Sequence, residues 1–266
     1  MYNVLPLIKT HYSLGRSILT LDKSWDDKSK KPKPTYLNSV FDILKDNNLK
    51  TLVLVEDNIS GLLQASKHSE EYGIKLIFGL RMDVTDDLTQ KNEASLTKRA
   101  KYIIFARNPN AYQSLLRMWS IAAKDGFYYN PVIDFKTIRK FWSKDFIMEV
   151  PFYDSFFELN LLNSHSHVPE IKEFNPVFLL ENNELPFDDL LTEKVKFYCH
   201  DNKYETLAAQ SIFYRRPEDF PAYLTFRCIH NRSYSGASTL EKPELNHMNS
   251  DTFNFERWKE LNGKNN

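Results

Sequence analysis

The feature that most constrains this chain is an alternation of short apolar runs with segments of helical spacing. Val4–Ile8 is a short apolar run interrupted by a proline, and Thr51–Val55, Ile74–Phe78, Lys101–Ala106, Phe146–Val150, Pro176–Leu180 and Leu207–Phe213 follow it. Runs this short have the length of strands, and a run without polar alternation suits a strand buried on both faces. Between them Leu37, Val40, Phe41 and Leu44 recur at helical spacing, and Ile59–Tyr72 is helical, with Gly73 placed as a C-cap. Helices are also predicted over Pro109–Ala123, Phe135–Trp142 and Pro217–Ile229, while Thr85–Lys98 reads as a polar loop or ribbon. Strand, helix, strand in repetition implies a parallel sheet covered by helices, either open and doubly wound or closed into a barrel. Periodicity does not choose between them.

Composition narrows the function classes. The 266 residues suit one compact enzyme-sized unit, and 35 Lys+Arg balance 35 Asp+Glu, so no global charge draws the chain to nucleic acid. The two cysteines, Cys199 and Cys228, stand in unrelated contexts, which suits free thiols in a reducing cytoplasm rather than a zinc knuckle or a disulfide framework. No apolar run approaches the roughly 20 residues that span a bilayer, and no secretory signal opens the chain, so a cytoplasmic location is expected. The seven glycines form no phosphate-cradling motif, which weakens P-loop, kinase and Rossmann readings. Asp22–Pro34 is charged and proline-punctuated, a surface loop, and the stretch from Ser233 onward is polar and expected to wrap the surface. The domain reading is a barrel over 1–232 with a polar C-terminal extension over 233–266.

Four collinear segments resemble the PHP (polymerase and histidinol phosphatase) domain of C-family DNA polymerases, the N-terminal domain of bacterial DNA polymerase III alpha subunits. They are His11-Tyr12-Ser13-Leu14 after the first apolar run; Leu52 to Gly61; Tyr72 to Gly79 continuing through Tyr102, Tyr112 and Gly126 to Asp134; and Tyr214-Arg215-Arg216-Pro217-Glu218-Asp219 followed by Arg227-Cys228-Ile229. The resemblance covers most of residues 1–230. It implies a single-domain α/β fold, a distorted (β/α)7 PHP-type barrel related to TIM-like barrels, whose active members hold a trinuclear metal centre and hydrolyse phosphoesters.

Such a centre needs imidazole nitrogens and carboxylate oxygens at strand ends, because these hold zinc or manganese and let the metal acidify a water. The alignment that the resemblance implies puts Leu5, Leu7 and Lys9 where opening histidines belong, and Val55 and Glu56 where an Asp-His pair belongs. Arg81 stands for a glutamate, and Gln210-Ser211-Ile212-Phe213 for an Asn-Asp-x-His pattern, so Ser211 and Phe213 replace ligands. No metal or other cofactor is expected. A one-residue shift leaves Glu56 and Asp57 as oxygen ligands, which also suit helix N-terminal acids.

The first reading is a degenerate, non-catalytic module of a replication machine, a pseudoenzyme, either a split N-terminal subunit or an N-terminal fragment. Its partners would be a polymerase catalytic subunit or the remaining polymerase domains, with DNA contacted indirectly and no membrane. Lys-, Asn- and Phe-rich usage suits an AT-rich genome such as that of a phage, which would place the chain in a host cytoplasm. An enzyme reading, a metal-dependent phosphoesterase or 3'-5' exonuclease, would use a shifted set of His11, Glu56, Asp57 and Glu149 with zinc or manganese. A third is a stand-alone barrel that binds DNA or a host protein. Lys9, Arg81, Arg215 and Arg216 form a candidate basic mouth for acidic tails or phosphates, against solvated surface charge as the plainer account. His165 and His167 read as exposed, and Phe127-Tyr128-Tyr129 as packing rather than base stacking.

Overall fold

The computed structural model describes residues 3–23, 25–26, 31–32, 38–163, 167–230 and 250–263. The elements in order are β1 (Leu5–Ile8), β2 (Trp25–Asp26), β3 (Lys31–Pro32), α1 (Val40–Asp46), β4 (Thr51–Glu56), α2 (Leu62–Tyr72), β5 (Lys75–Thr85), α3 (Glu93–Leu96), β6 (Ala100–Ala106) and α4 (Pro109–Lys124). There follow β7 (Val132–Asp134), α5 (Phe135–Phe141), β8 (Phe146–Val150), α6 (Phe156–Asn163), β9 (Val177–Leu180), α7 (Asp188–Asn202), β10 (Glu205–Ile212), α8 (Phe220–His230) and α9 (Phe255–Gly263). The hydrogen-bonded order is β4-β1-β10-β9-β8-β6-β5-β7 with a further β4–β5 pairing, so seven strands complete a circuit and β7 adds to β5. This is the α/β barrel that the family resemblance implies. By internal contacts the chain divides into two compact units, Met1–Phe78 with Asn182–Pro186 and Ala209–Asn266, and Gly79–Glu181 with Phe187–Ala208.

In the first unit β1 runs parallel to both β10 and β4, with Leu5 opposite Ala209, Leu7 opposite Ser211 and Ile8 opposite Leu54. Ser39 starts α1 by accepting from the Asp42 amide, and Gly73 ends α2 in the left-handed region at φ 64°, as expected of a C-cap that lacks a Cβ to clash. The core gathers Phe41, Leu44, Leu52, Leu54 and Ile212 around Phe255 and Trp258. The last two differ from the expected surface wrap. Residues 231–249 lie outside the described set, but Phe253, Phe255 and Trp258 are buried, and the Trp258 indole donates to the Val4 carbonyl at 2.9 Å. Three large aromatics set in a polar stretch are hidden by average composition, yet each removes enough apolar area to fix a segment in place.

In the second unit β6 runs antiparallel to both β5 and β8, whereas β5–β7, β8–β9 and β9–β10 are parallel. The expected all-parallel sheet is therefore mixed. Antiparallel neighbours need no long crossover helix, and the polar stretch between β5 and β6 carries only the one-turn α3. β5 also runs beyond the expected Phe78, because Leu80, Met82 and Val84 alternate with Gly79, Arg81 and Asp83, the period of a strand with two unlike faces. One face packs on helices through Tyr102 against Phe135 and Phe178 against Phe156. The other carries Arg81, Asp83, Lys101 and Glu149. The helices α6 and α7 escape the periodicity reading. α7 buries Asp188, Leu191, Val195 and Cys199 at helical spacing but exposes Leu190 and Phe197, which blurs its apolar face. Among the described residues no helix is long and apolar enough to cross a membrane.

Candidate functional site

Two of the segments that the resemblance marks, the turn after β1 and the end of β4, meet in the first unit. β4 ends on Glu56, which is fully buried. Its Oε1 accepts from the Thr10 amide at 2.9 Å and the Thr10 hydroxyl at 2.5 Å, while Oε2 accepts from the Ser13 hydroxyl. Ser13 Oγ in turn accepts from the Asp57 amide at 2.9 Å, and the Asn58 side chain donates to the Tyr12 carbonyl at 2.6 Å, so the turn after β1 is stapled to the end of β4. Lys9, only 6% exposed, directs Nζ to Asp57 Oδ1 at 3.1 Å. Burial pushes the Glu56 carboxyl up to about 7 against the opposing pull of the Lys9 ammonium and the two hydroxyl donors.

On β10, Ser211 lies in register with Leu7, so two of the positions that the resemblance marks sit side by side. Gln210 is fully buried and donates to Asn183 Oδ1 at 2.6 Å and to the Thr252 carbonyl at 3.2 Å. Phe213 stacks against Phe253 and Tyr223, with ring centroids 5.2 and 5.8 Å away. Val55 is buried and apolar.

In the second unit Arg81 donates to Asp154 Oδ2 at 2.5 Å and to the Tyr153 carbonyl at 3.2 Å. Asp154 stands in the left-handed region at φ 59°, and its amide donates to Glu158. Lys101 pairs with Asp83 at 2.7 Å. Glu149 sits in register with Ile103, itself opposite Arg81, and its Oε2 is buried without a hydrogen-bond partner. Burial alone raises its carboxyl to about 7.

The structure thus brings Lys9, Glu56 and Asp57 together and places His11 beside them in sequence, half-buried, its ring 4.4 Å from that of Tyr12 and its Nδ1 without a partner. Glu149, the fourth member of the shifted set, belongs to the other unit. Of the four basic-mouth residues, Arg215 faces Asp46 at 3.4 Å and the half-exposed Arg216 faces Glu256 at 3.5 Å, so each of the four has a carboxylate partner. His165 and nearly all of the 22–34 loop side chains fall outside the described residues, whereas His167 Nε2 lies 3.2 Å from Asp86. Phe127 and Tyr129 are exposed rather than packed, with Tyr128 lying under the Arg99 guanidinium. Thr10, Asn183, Thr252 and Asp154, which complete these networks, carried no signal in the sequence, whereas Ser13 stands in the first segment of the family resemblance.

The donor set does not fit a trinuclear metal centre. Leu5 and Leu7 offer no donor atom, Lys9 and Arg81 are cations tied to carboxylates, Phe213 is an aromatic in a stack, and both Glu56 oxygens already accept from the chain. Among the described residues no group of three or more His, Cys, Asp or Glu side chains is arranged to hold a metal ion.

Comparison with known proteins places the chain. It is 24% identical over 220 residues to DNA polymerase III subunit alpha of Borreliella burgdorferi, covering 79% of this chain and 19% of that protein. It is 23% identical over 191 residues to DNA polymerase III subunit alpha of Aquifex aeolicus, covering 65% and 16%. The chain therefore spans less than a fifth of the length of these curated relatives. The PHP domain model matches residues 36–204. With more than half of its length matched, and with the strand circuit described above, the chain belongs to the PHP domain family.

Proposed function

We propose that this chain is a non-catalytic PHP module of a DNA replication polymerase, with the family's ligand positions given over to structure. The observation that carries the reading is that both cations at those positions, Lys9 and Arg81, are ion-paired to carboxylates of the same fold, at 3.1 and 2.5 Å. The likeness to alpha subunits supports a polymerase catalytic subunit, or further polymerase domains, as the partner, with DNA contacted through it. The setting would be the cytoplasm, that of the host if the gene is carried by a phage.

The competing enzyme reading, a phosphoesterase or exonuclease using zinc or manganese, draws on two partnerless buried atoms, His11 Nδ1 and Glu149 Oε2. The test is to purify the tagged chain from its native cell, identify co-purifying proteins by mass spectrometry and measure metal on the same sample. A polymerase polypeptide with far less than one metal per chain is the expected result. Stoichiometric zinc or manganese, together with a nuclease activity abolished by Glu56→Gln, would sink the non-catalytic reading.

A further inference from the structure

We infer that the outward stripe of α7, made of Leu190, Glu193, Lys194 and Phe197, is a self-association face that packs against the same stripe of a second copy of this chain, with the two helices antiparallel. The inference goes beyond the proposed function and does not depend on it.

α7 turns Leu191, Val195 and Cys199 inward, all three buried. At 3.6 residues per turn the opposite side of the helix carries Leu190 and Phe197, two turns apart, with Glu193 and Lys194 between them. The solvent side of a helix laid on a sheet is ordinarily polar, yet Leu190 is 48% and Phe197 71% exposed. A groove runs beside the stripe, lined by Phe157, Asn160 and Leu161 of α6 together with Leu190, Phe197 and Tyr198 of α7. Exposed apolar side chains gathered along a groove mark a protein interface. The charges identify the occupant. The midpoint between Leu190 and Phe197 is also the midpoint between Glu193 and Lys194. When two copies of α7 pair antiparallel about that point, Leu190 of each meets Phe197 of the other, and Glu193 of each meets Lys194 of the other. One two-fold axis therefore satisfies the apolar and the charged contacts together, as a self-complementary interface requires. In a parallel two-fold pairing each residue would meet itself, setting Glu193 on Glu193 and Lys194 on Lys194, which like-charge repulsion disfavours. Both charged side chains are exposed, and neither has an ion-pair partner among the described residues.

Sedimentation equilibrium of the purified chain from about 1 to 300 µM should show a monomer–dimer equilibrium. Phe197→Glu should weaken it at least about thirtyfold, the effect of losing a hot-spot aromatic. Glu193→Lys sets like charges against each other at both symmetric contacts and should weaken it about fivefold. Glu193→Lys/Lys194→Glu exchanges the charges and should return the dimer to within about twofold of the wild type. The substituted side chains are exposed, so circular dichroism and Tm should be unchanged. Should Phe197→Glu nevertheless fail to fold, Leu190→Lys, at the other half of the same contact, takes its place with the same expected loss. A wild type that stays monomeric at the highest concentration, a dimer indifferent to Phe197→Glu, or a charge exchange that does not restore what Glu193→Lys loses overturns the inference. If the chain alone is monomeric and a polymerase polypeptide co-purifies with the wild type but not with Phe197→Glu, the face belongs to that partner, so the inference fails while the proposed function stands. A dimer with all the expected variant effects and no polymerase partner supports the inference and counts against the proposed function.

Discussion

Glu149→Gln should stabilise the protein, and by an amount that depends on pH in a definite direction. Glu149 is 8% exposed and its Oε2 meets no donor, so the folded state favours the neutral carboxyl and its proton affinity rises from 4.5 to about 7. Below pH 4.5 the carboxyl is protonated in both the folded and the unfolded chain. As pH rises from there, the unfolded chain releases the proton first, so the folded state is progressively disfavoured until its own carboxyl ionises near 7, after which the curve is flat. At about 1.4 kcal/mol per tenfold change in proton affinity, the full loss is roughly 3 kcal/mol, of which about 2.5 kcal/mol falls between pH 5 and pH 8.5. The substituted glutamine is a neutral isostere and lacks this dependence. Urea unfolding followed by tryptophan fluorescence should therefore show the stability advantage of the variant over the wild type growing by about 2.5 kcal/mol across that interval. The parallel slope from Glu56 is present in both proteins and cancels in the difference. An advantage that stays constant with pH, or shrinks as pH rises, refutes the argument, because it would mean that a donor meets the carboxylate after all.

Other sites give independent checks. Trp258→Ala removes a buried indole and its bond to the Val4 carbonyl, and should cost about 3–5 kcal/mol in thermal or urea unfolding. Gly73→Ala meets open space but must hold φ at 64°, and should cost about 1 kcal/mol in the same assay. Gly126→Ala places a Cβ against the Val132 carbonyl oxygen, where backbone must move, and should cost more than the Gly73 change.

In the second unit α4 and α5 were legible because their signals are local. Asn108 caps α4 with Pro109 behind it, Asp134 caps α5, and each helix starts where the sequence places it. β8 likewise matches its apolar run. What the local pattern missed has a common cause: α7 mixes Leu190 and Phe197 into its solvent face, and β5 alternates charge with apolar residues instead of running apolar throughout.

The candidate site divides the same way. The sequence by itself determined which residue types stand at the positions that the resemblance marks for ligands, because Leu5, Leu7, Lys9, Arg81 and Phe213 are fixed by order along the chain. Only the tertiary structure decided what those residues do. Lys9 and Asp57 are 48 positions apart, and Arg81 and Asp154 are 73 apart. No periodicity links residues at such distances; the strand register brings each pair together, and burial turns a surface charge into an ion pair whose loss the fold would register.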